Sequence, residues 1–269
     1  MQMIELSSDQ TISLALVLTL LIVTRARDML DPSGISMAVI VGLVVSLMGH
    51  WTWLVILMTF LLIGSTATKW RFEEKLALSI AEENEGTRGW RNVLANGAAP
   101  MAVATAHWLT GDTSWDYLAL CACVSVACSD TLASEIGSLD MRTRSILNLK
   151  AVPPGTNGGM SPTGTVAALA GAVIIALFSV ALSSTAGDQT PALMLFTIVA
   201  VIGWLGCQID SLLGALLENE GYIGKHTVNF LATMSGAALA VLASIPVSYT
   251  HLRAHETRHD VVCRLLLEK

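Results

Sequence analysis

The sequence contains few charged residues: 13% of its 269 positions are Asp, Glu, Lys or Arg, against 53% that are hydrophobic. Its mean hydropathy is +0.63. Because a soluble domain carries about 25% charged residues, this scarcity of charge excludes an ordinary soluble protein. The composition places the chain in a lipid bilayer, and we expect membrane lipid around it and no nucleic acid among its partners.

Two kinds of site motif are also missing. The sequence has no Gly-x-x-x-x-Gly-Lys-Ser/Thr run, which excludes a P-loop nucleotide site. The cysteines in the apolar runs lack the paired spacing of metal ligands, and these are Cys121, Cys123, Cys128 and Cys207. We interpret them as packing residues and exclude zinc binding and disulfides.

Long apolar stretches predict the fold class, which is all-α: a polytopic transmembrane helical bundle with about seven to eight membrane helices. Several stretches are shorter than the roughly 20 residues that a spanning helix needs, so the helix count stays open. The stretches are Ile12–Thr24, Ile35–Gly49, Trp51–Gly64, Val93–Leu109, Tyr117–Cys128, Thr165–Leu182, Ala192–Ile209 and Val228–Ile245.

Basic residues are missing from every second loop. If each apolar stretch crosses the membrane, all the basic residues before position 250 fall on one side. The positive-inside rule identifies that side as cytoplasmic and predicts eight crossings with both termini outside. A turn at Gly49 and His50 is required, because merging 35–64 into one helix would move Arg25 and Arg27 to the other side.

A polar, glycine-rich loop lies between two of the apolar stretches, at residues 152–165. Gly155, Gly158 and Gly159 permit positive φ, so several N–H groups can converge on one anion. Ser161 can cap the following helix, whose N-terminus adds partial positive charge. An ordinary connecting loop is the alternative interpretation.

Polar side chains within the apolar stretches gather at the same predicted face as this loop. Ionisable groups at membrane depth are costly, so they indicate a functional site. For Asn96 and Asn229 an interhelical hydrogen bond is the alternative, and for Asp130 and Asp210 a helix-end cap. The set comprises Asn92, Asn96, Ser129, Asp130, Thr131, Glu135, Asp210, Ser211 and Asn229.

The carboxylates, the loop and a basic strip of Arg142, Arg144 and Lys150 together indicate a magnesium-phosphate site. Mg²⁺ prefers one or two carboxylates, several waters and phosphate oxygens, so Asp130 and Asp210 suffice as metal ligands. Phosphoryl transfer mainly requires positioning and charge neutralisation.

Five runs in this order resemble the integral membrane family labelled domain of unknown function 92, which includes the phytyl-phosphate kinases of tocopherol synthesis in plants and cyanobacteria. The resemblance covers about residues 12 to 245. The runs are Trp-Arg-Asn-Val-Leu-Ala-Asn-Gly (90–97), Ser-Asp-Thr-Leu-Ala-Ser-Glu-Ile-Gly (129–137), Pro-Pro-Gly-Thr-Asn-Gly-Gly-Met-Ser-Pro-Thr-Gly-Thr (153–165), Asp-Ser-Leu-Leu-Gly-Ala (210–215) and Val-Asn (228–229).

The resemblance implies an isoprenoid monophosphate kinase that transfers a phosphoryl group from a nucleotide, CTP in the phytyl-phosphate kinases, to give the prenyl diphosphate. This implied reaction agrees with Asp130 and Asp210 as the ligands of Mg²⁺. The predicted catalytic residues are Asp130, Glu135 and Asp210. The residues predicted to bind substrate or phosphate are Asn96, Thr131, Arg142, Arg144, Lys150, Gly155, Thr156, Asn157, Gly158, Gly159, Ser161 and Asn229.

Three alternative activities are compatible with the sequence. A prenyl-alcohol kinase would need a base, with Glu135 or Asp130 as candidates. A CTP-dependent nucleotidyltransferase and a transporter of an anionic solute are the others, although a transporter should carry polar residues through to the outer face. The oligomeric state and the isoprenoid length stay open.

The stretch from Lys69 to Arg91 mixes acidic and basic residues. A solvated helix of alternating charge is the simpler interpretation. The alternative lets Arg88 or Arg91 reach a phosphate.

The C-terminal end differs in composition from the rest. Residues 247–269 resemble a spurious tail found on unrelated proteins predicted from assembled environmental DNA, so we exclude them from fold reasoning. The prediction is a membrane domain at 1–246, with a site on the cytoplasmic face of a prokaryotic plasma membrane.

Overall fold

The structure is a computed structural model that describes residues 6–81, 86–111 and 114–245. Across these ranges the chain is mostly helical, with one two-stranded hairpin, β1 (Arg144–Ser145) paired antiparallel with β2 (Gly159–Met160). The helices are α1 (Ser8–Ala26), α2 (Pro32–Val44), α3 (Trp51–Lys69), α4 (Phe72–Ala77), α5 (Trp90–Thr110), α6 (Asp116–Gly137), α7 (Pro162–Ser183), α8 (Ala192–Leu213) and α9 (Lys225–Ile245).

Seven helices in the described ranges are long and apolar enough to cross a membrane, which confirms the polytopic all-α prediction. Two of them are prolonged by π-helical turns, α2 through Val45–Gly49 and α8 through Gly214–Glu218. The remaining long helix is α5, which has 21 residues but carries polar side chains along its length.

Contacts at both ends of α5 show that it runs the full depth of the bundle, parallel to α2. At one end the Trp90 N–H donates to Ser33 Oγ (3.2 Å), and at the other the Thr105 hydroxyl donates to Met48 Sδ (3.7 Å). His107 then pairs with Asp116 at the start of α6. The long helices therefore alternate in direction, as the eight predicted stretches require.

The turn that separates α2 from α3 is confirmed. Gly49 ends the π-helical turn, and the His50 side chain caps α3 by accepting from the Thr52 N–H (3.4 Å). A methyl group added at Gly49 would lie 2.3 Å from the Trp53 ring, so the turn needs glycine.

Alternation places one set of helix ends on a single face. This face, called the basic face below, holds the C-terminal ends of α1, α3, α6 and α8 and the N-terminal ends of α2, α5, α7 and α9. The described basic residues lie there, and they are Arg25, Arg27, Lys69, Arg71, Lys75, Arg88, Arg91, Arg142, Arg144, Lys150 and Lys225. The charge asymmetry predicted from the sequence is thus present in the fold.

Helix α6 forms the centre of the bundle, and every residue from Tyr117 to Ser129 is buried. Small residues on neighbouring helices allow this close packing. A methyl group added at Gly203 would lie 1.9 Å from Ser125 Oγ, and one added at Gly206 would lie 2.2 Å from Val126 Cγ2. The cysteines predicted to pack are free and buried in this core.

The prediction that residues 247–269 are a foreign tail falls outside the described residues. The membrane domain predicted for 1–246 is described from residue 6 to residue 245, with gaps at 82–85 and 112–113.

We predict that Gly206→Ala destabilises the protein. Val126 is fully buried, so it cannot move away from a new methyl group, and overpacking of this kind costs about 1–3 kcal/mol. Thermal unfolding in detergent should show a lower Tm. The matched control is Gly42→Ala, whose methyl group would meet its nearest atom at 3.4 Å, an ordinary contact. An unchanged Tm for Gly206→Ala would contradict the proposed packing.

Candidate functional site

A cavity of about 800 Å³ opens at the basic face. Its wall combines the N-terminal ends of α2, α5, α7 and α9 with the C-terminal ends of α6 and α8. A helix N-terminus carries unpaired N–H groups and partial positive charge, so several of them around one cavity favour a bound anion. The loop predicted to bind phosphate, residues 155–161, forms part of the same wall.

Asp130 of α6 and Asp210 of α8 both line this cavity, where their carboxyl groups are neighbours. The close packing of α6 on α8 at Gly203 and Gly206 brings them together. The Oδ2 atom of Asp210 is buried and has no hydrogen-bond partner among the described residues. Such an atom is costly to bury unless a ligand satisfies it.

The carboxylate pair fits a magnesium ion. Mg²⁺ takes one or two carboxylates and completes its octahedron with water and phosphate oxygens. The described residues contain no group of three or more His, Cys, Asp or Glu that could hold a metal by themselves. The buried Asp210 Oδ2 is an oxygen atom that a cation could coordinate.

The glycine-rich loop is held against α8. Gly155 and Gly158 have positive φ, as predicted, whereas Gly159 does not. A methyl group added at Gly158 would lie 2.4 Å from Ala215 Cβ. The N–H groups of Thr156 and Gly159 are used inside the loop, donating to Pro153 O (3.3 Å) and Thr156 O (2.8 Å). Glycine at 158 is therefore needed both for the backbone angle and for contact with α8.

Ser161 caps α7, as predicted. Its hydroxyl accepts from the Gly164 N–H and donates to Gly137 O, both at 3.1 Å. This second bond ties the start of α7 to the end of α6. The hydroxyl borders the cavity, but both of its hydrogen bonds are made to other groups of the protein.

Glu135 lines the cavity and is held by an ion pair. Its Oε2 binds Lys75 Nζ (2.7 Å), and its Oε1 accepts from the Thr68 hydroxyl (2.7 Å). Lys75 is 1% exposed and also donates to Ala67 O and Thr68 O at the end of α3. Both carboxylate oxygens of Glu135 are thus engaged, which suits a positioning role better than proton transfer.

The segment around Lys75 corrects the interpretation of 69–91 as a solvated helix. Helix α4 has six residues, and two left-handed residues flank it, Arg71 (φ 51°) and Ser79 (φ 57°). The chain turns inward there and buries Lys75. The charge pattern of the sequence did not reveal this, because the turn depends on tertiary contacts with α3 and α6.

Arg88 is the cavity residue that the simpler interpretation of this segment missed. It is 7% exposed, its Nη2 donates to Thr68 Oγ1 (3.1 Å), and its Nε is buried with no partner among the described residues. Its backbone pairs with the start of α2, where the Asp31 N–H donates to Arg88 O (3.2 Å). A methyl group at Gly34 would lie 2.3 Å from that carbonyl oxygen. Arg91 also lines the cavity, beside Trp90.

Asp31 caps α2 at the cavity edge. Hydrogen bonds from the Ser33 hydroxyl and the Gly34 N–H hold the pKa of its carboxyl below the usual value, although partial burial opposes them. The Ser33 bond (2.6 Å) has the larger effect. This carboxylate therefore stays charged at neutral pH.

The structure does not bring the basic strip into the cavity lining. The Nε and Nη2 atoms of Arg142 donate to the two oxygens of Asp140 at 2.9 Å, and Arg144 Nη1 donates to Leu149 O (2.9 Å). Lys150 is exposed. The β1–β2 hairpin carries these residues on the surface beside the site, and Arg142 lowers the pKa of the Asp140 carboxyl through the hydrogen bonds between them.

The remaining predicted residues divide between the cavity and the interior. Those at the cavity wall are Gly155, Thr156, Asn157, Gly158, Gly159, Ser161 and Asn229. Thr131 is buried behind it, and Asn96 is buried and donates to Asn92 O (3.1 Å), one turn earlier in α5. Asn96 thus lies outside the cavity wall, and its hydrogen bond stays within α5 and does not join two helices, as the alternative interpretation had expected.

Comparisons with known proteins agree with the motif resemblance. A family model described as Integral membrane protein DUF92 matches residues 15–237. An uncharacterized membrane protein of Methanocaldococcus jannaschii is 28% identical over 240 residues, which are 86% of this chain and 92% of the relative. An uncharacterized membrane protein of Synechocystis is 31% identical over 221 residues, 80% of this chain and 83% of the relative.

A plant protein is also similar. Protein VTE6 of Arabidopsis thaliana, which is chloroplastic, is 28% identical over 221 residues, 79% of this chain and 65% of the relative. No solved structure matches the chain.

We predict that breaking the buried Lys75–Glu135 pair destabilises the protein strongly. Lys75→Met leaves the Glu135 carboxylate without its cation, and the loss of one partner of a buried pair costs about 3–5 kcal/mol. The measurement is the Tm in detergent. The double variant Lys75→Met, Glu135→Leu should recover much of the loss, because no uncompensated charge remains.

The exposed pair Arg71–Glu74 provides the control for this prediction. Its side chains are 46% and 52% exposed, so Arg71→Met should leave the Tm unchanged. If Lys75→Met were equally harmless, the pair would not hold the segment in place.

Proposed function

We propose, because the chain belongs to the DUF92 family of integral membrane proteins, that it transfers a phosphoryl group to an isoprenoid monophosphate at the basic face. The observation that carries this proposal is the neighbouring pair Asp130 and Asp210, with the unpartnered Asp210 Oδ2, inside a cavity ringed by helix N-termini. Carboxylates for a cation and N–H groups for an anion form a metal-phosphate site when they share one cavity.

Mg²⁺ would be held by Asp130 and Asp210, and it would neutralise charge on the transferring phosphoryl group. The chain's own residues supply the rest. The N–H groups of Gly155, Asn157 and Gly158 and the helix N-termini bind phosphate oxygens, since those of Thr156 and Gly159 are used inside the loop. Arg88 and Arg91 add cationic side chains at the wall. Arg142, Arg144 and Lys150 lie outside this wall. Arg88 and Arg91 therefore take the phosphate-binding role that the sequence had predicted for those three residues.

The state of Glu135 favours a monophosphate acceptor over an alcohol. A monophosphate has its second pKa near about 6, so it is mostly dianionic at neutral pH and needs no base. An alcohol needs one, and both oxygens of Glu135 are engaged by Lys75 and Thr68. Prenyl-alcohol kinase activity would then depend on Asp130 alone.

Family membership supports the choice of reaction, since the motifs of this chain resemble a family that includes phytyl-phosphate kinases. CTP is the nucleotide that the resemblance implies. The basic face would be cytoplasmic by the positive-inside rule. The polar residues of the site stay at that face while α6 is buried and largely apolar through its middle, which weighs against a transporter.

The direct test uses the purified protein in lipid nanodiscs with Mg²⁺. Geranylgeranyl or phytyl monophosphate is paired with each nucleoside triphosphate, and the products are separated by mass. A nucleoside diphosphate and a prenyl diphosphate in equal amounts are expected. Release of pyrophosphate instead would identify a nucleotidyltransferase, and turnover of the free alcohol but not the monophosphate would contradict the proposed acceptor.

We predict that Asp130→Asn and Asp210→Asn each lower kcat by at least about 100-fold, because even residues that only support a metal ligand change activity by about 10–100-fold. The magnesium concentration for half-maximal rate should also rise. The matched control is Asp188→Asn at the opposite face, where Asp188 binds Thr190 (3.0 and 3.2 Å) and should not affect turnover. Full activity in either site variant would remove the metal from the proposal.

A further inference from the structure

A second cavity, of about 60 Å³, lies inside the membrane depth of the bundle between α1, α2, α3 and α5. We call it the crevice. Apart from Arg88, Asn92 and Asn96, its lining is apolar or glycine. The lining includes Ala38 of α2, Leu57, Met58 and Leu61 of α3, and Val93 and Gly97 of α5.

The crevice begins where the polar cavity ends. Arg88 and Asn92 line both spaces, so one side of the Arg88 region is polar and the other is apolar. A ligand placed there would meet a buried guanidinium at its charged end and hydrocarbon beyond it. This is the pattern of a lipid phosphate, whose head is anionic and whose tail is apolar.

The crevice is bounded by small residues and opens between helices. Ala38 faces it from α2, and Gly97 from α5, where an added methyl group would lie 2.9 Å from Val41 Cγ2. Met58, Leu61 and Val93 in its lining are half-buried, so part of the lining is exposed at the surface of the bundle. A chain entering from the polar cavity could leave toward the bilayer past these residues.

We propose that the crevice binds the first isoprene unit of the acceptor, with the phosphate at Arg88 and the remaining chain in lipid. This inference rests on the proposed function. The space corresponds to roughly four to six water sites, on the measure in which one water needs about 10–15 Å³. That is room for a short branched hydrocarbon segment and not for a whole diterpenoid chain. Selectivity is then set near the phosphate, and chain length beyond the first units matters little.

The kinetic test uses a substitution that fills the crevice and measures the KM for the acceptor. In Leu57→Trp a large ring replaces a side chain that is 9% exposed, and the KM for geranylgeranyl monophosphate should rise about tenfold or more, because a filled pocket excludes hydrocarbon. The control is Leu62→Trp, on the same helix but 38% exposed and outside the lining, which should leave KM unchanged. For the wild type, KM should be similar for ten-carbon and twenty-carbon monophosphates.

A binding experiment keeps the inference testable if Leu57→Trp fails to fold or if no turnover is found. Geranylgeranyl monophosphate with a diazirine on its first isoprene unit is photolysed with the wild-type protein in nanodiscs, and labelled peptides are identified by mass spectrometry. Labelling of 51–69 or 90–110 that unlabelled geranylgeranyl monophosphate prevents supports the crevice.

The outcomes separate this inference from the proposed function. Turnover of prenyl monophosphates with labelling confined to α7, α8 or α9 would overturn the crevice and leave the kinase. Competed labelling of α3 or α5 without turnover would keep the binding site and overturn the reaction. No competed labelling at all would overturn the crevice whatever the activity, and a strong rise in KM with chain length would contradict its short reach.

Discussion

Glycines on α8 and α9 pack closely against α6 and so hold the helices that carry the cavity at short distances from one another. In a bilayer there is little hydrophobic force between helices, so association relies on van der Waals contact at short range. Gly203 and Gly206 bring α8 onto Ser125 and Val126, and Gly236 brings α9 onto the same part of α6. One turn beyond Gly206, the same face of α8 carries Asp210 to Asp130. The distance between the two carboxylates is therefore set by glycine contacts deeper in the membrane.

A second layer of interactions holds the polar wall in place. Lys75 joins α4 to the end of α3 and, through Glu135, to α6. Thr68 donates to Glu135 and accepts from Arg88, so the buried cation, carboxylate, hydroxyl and guanidinium form one connected network. Because unpaired charges are very costly at this depth, each member fixes the position of the next. The network explains how a loop residue such as Arg88 is held at a defined place in the wall.

Much of this arrangement could be predicted from the sequence. Hydropathy and the one-sided basic residues predicted the alternating helices and the Gly49–His50 turn, because both signals are local and repeat along the chain. The carboxylates and the loop could be placed together, since helix direction decides which ends share a face. Burial of Lys75 and Arg88 could not be predicted, because it depends on left-handed turns at Arg71 and Ser79 and on contacts with distant helices. The position of Arg142 and Lys150 outside the cavity likewise follows from the β1–β2 hairpin and from the hydrogen bond of Arg142 to Asp140. No spacing in the sequence encodes either feature.

The ring of helix N-termini has a consequence for nucleotide choice. Backbone N–H groups and helix dipoles interact with phosphate oxygens, which are the same in every nucleoside triphosphate. The part of the wall that attracts the donor therefore cannot tell cytosine from adenine or guanine. Any preference for one base must come from side chains at the outer rim of the cavity, where the nucleoside would project beyond the helix ends. Base selectivity and phosphoryl transfer are thus spatially separate properties of this fold, and sequence change at the rim can alter one without disturbing the other.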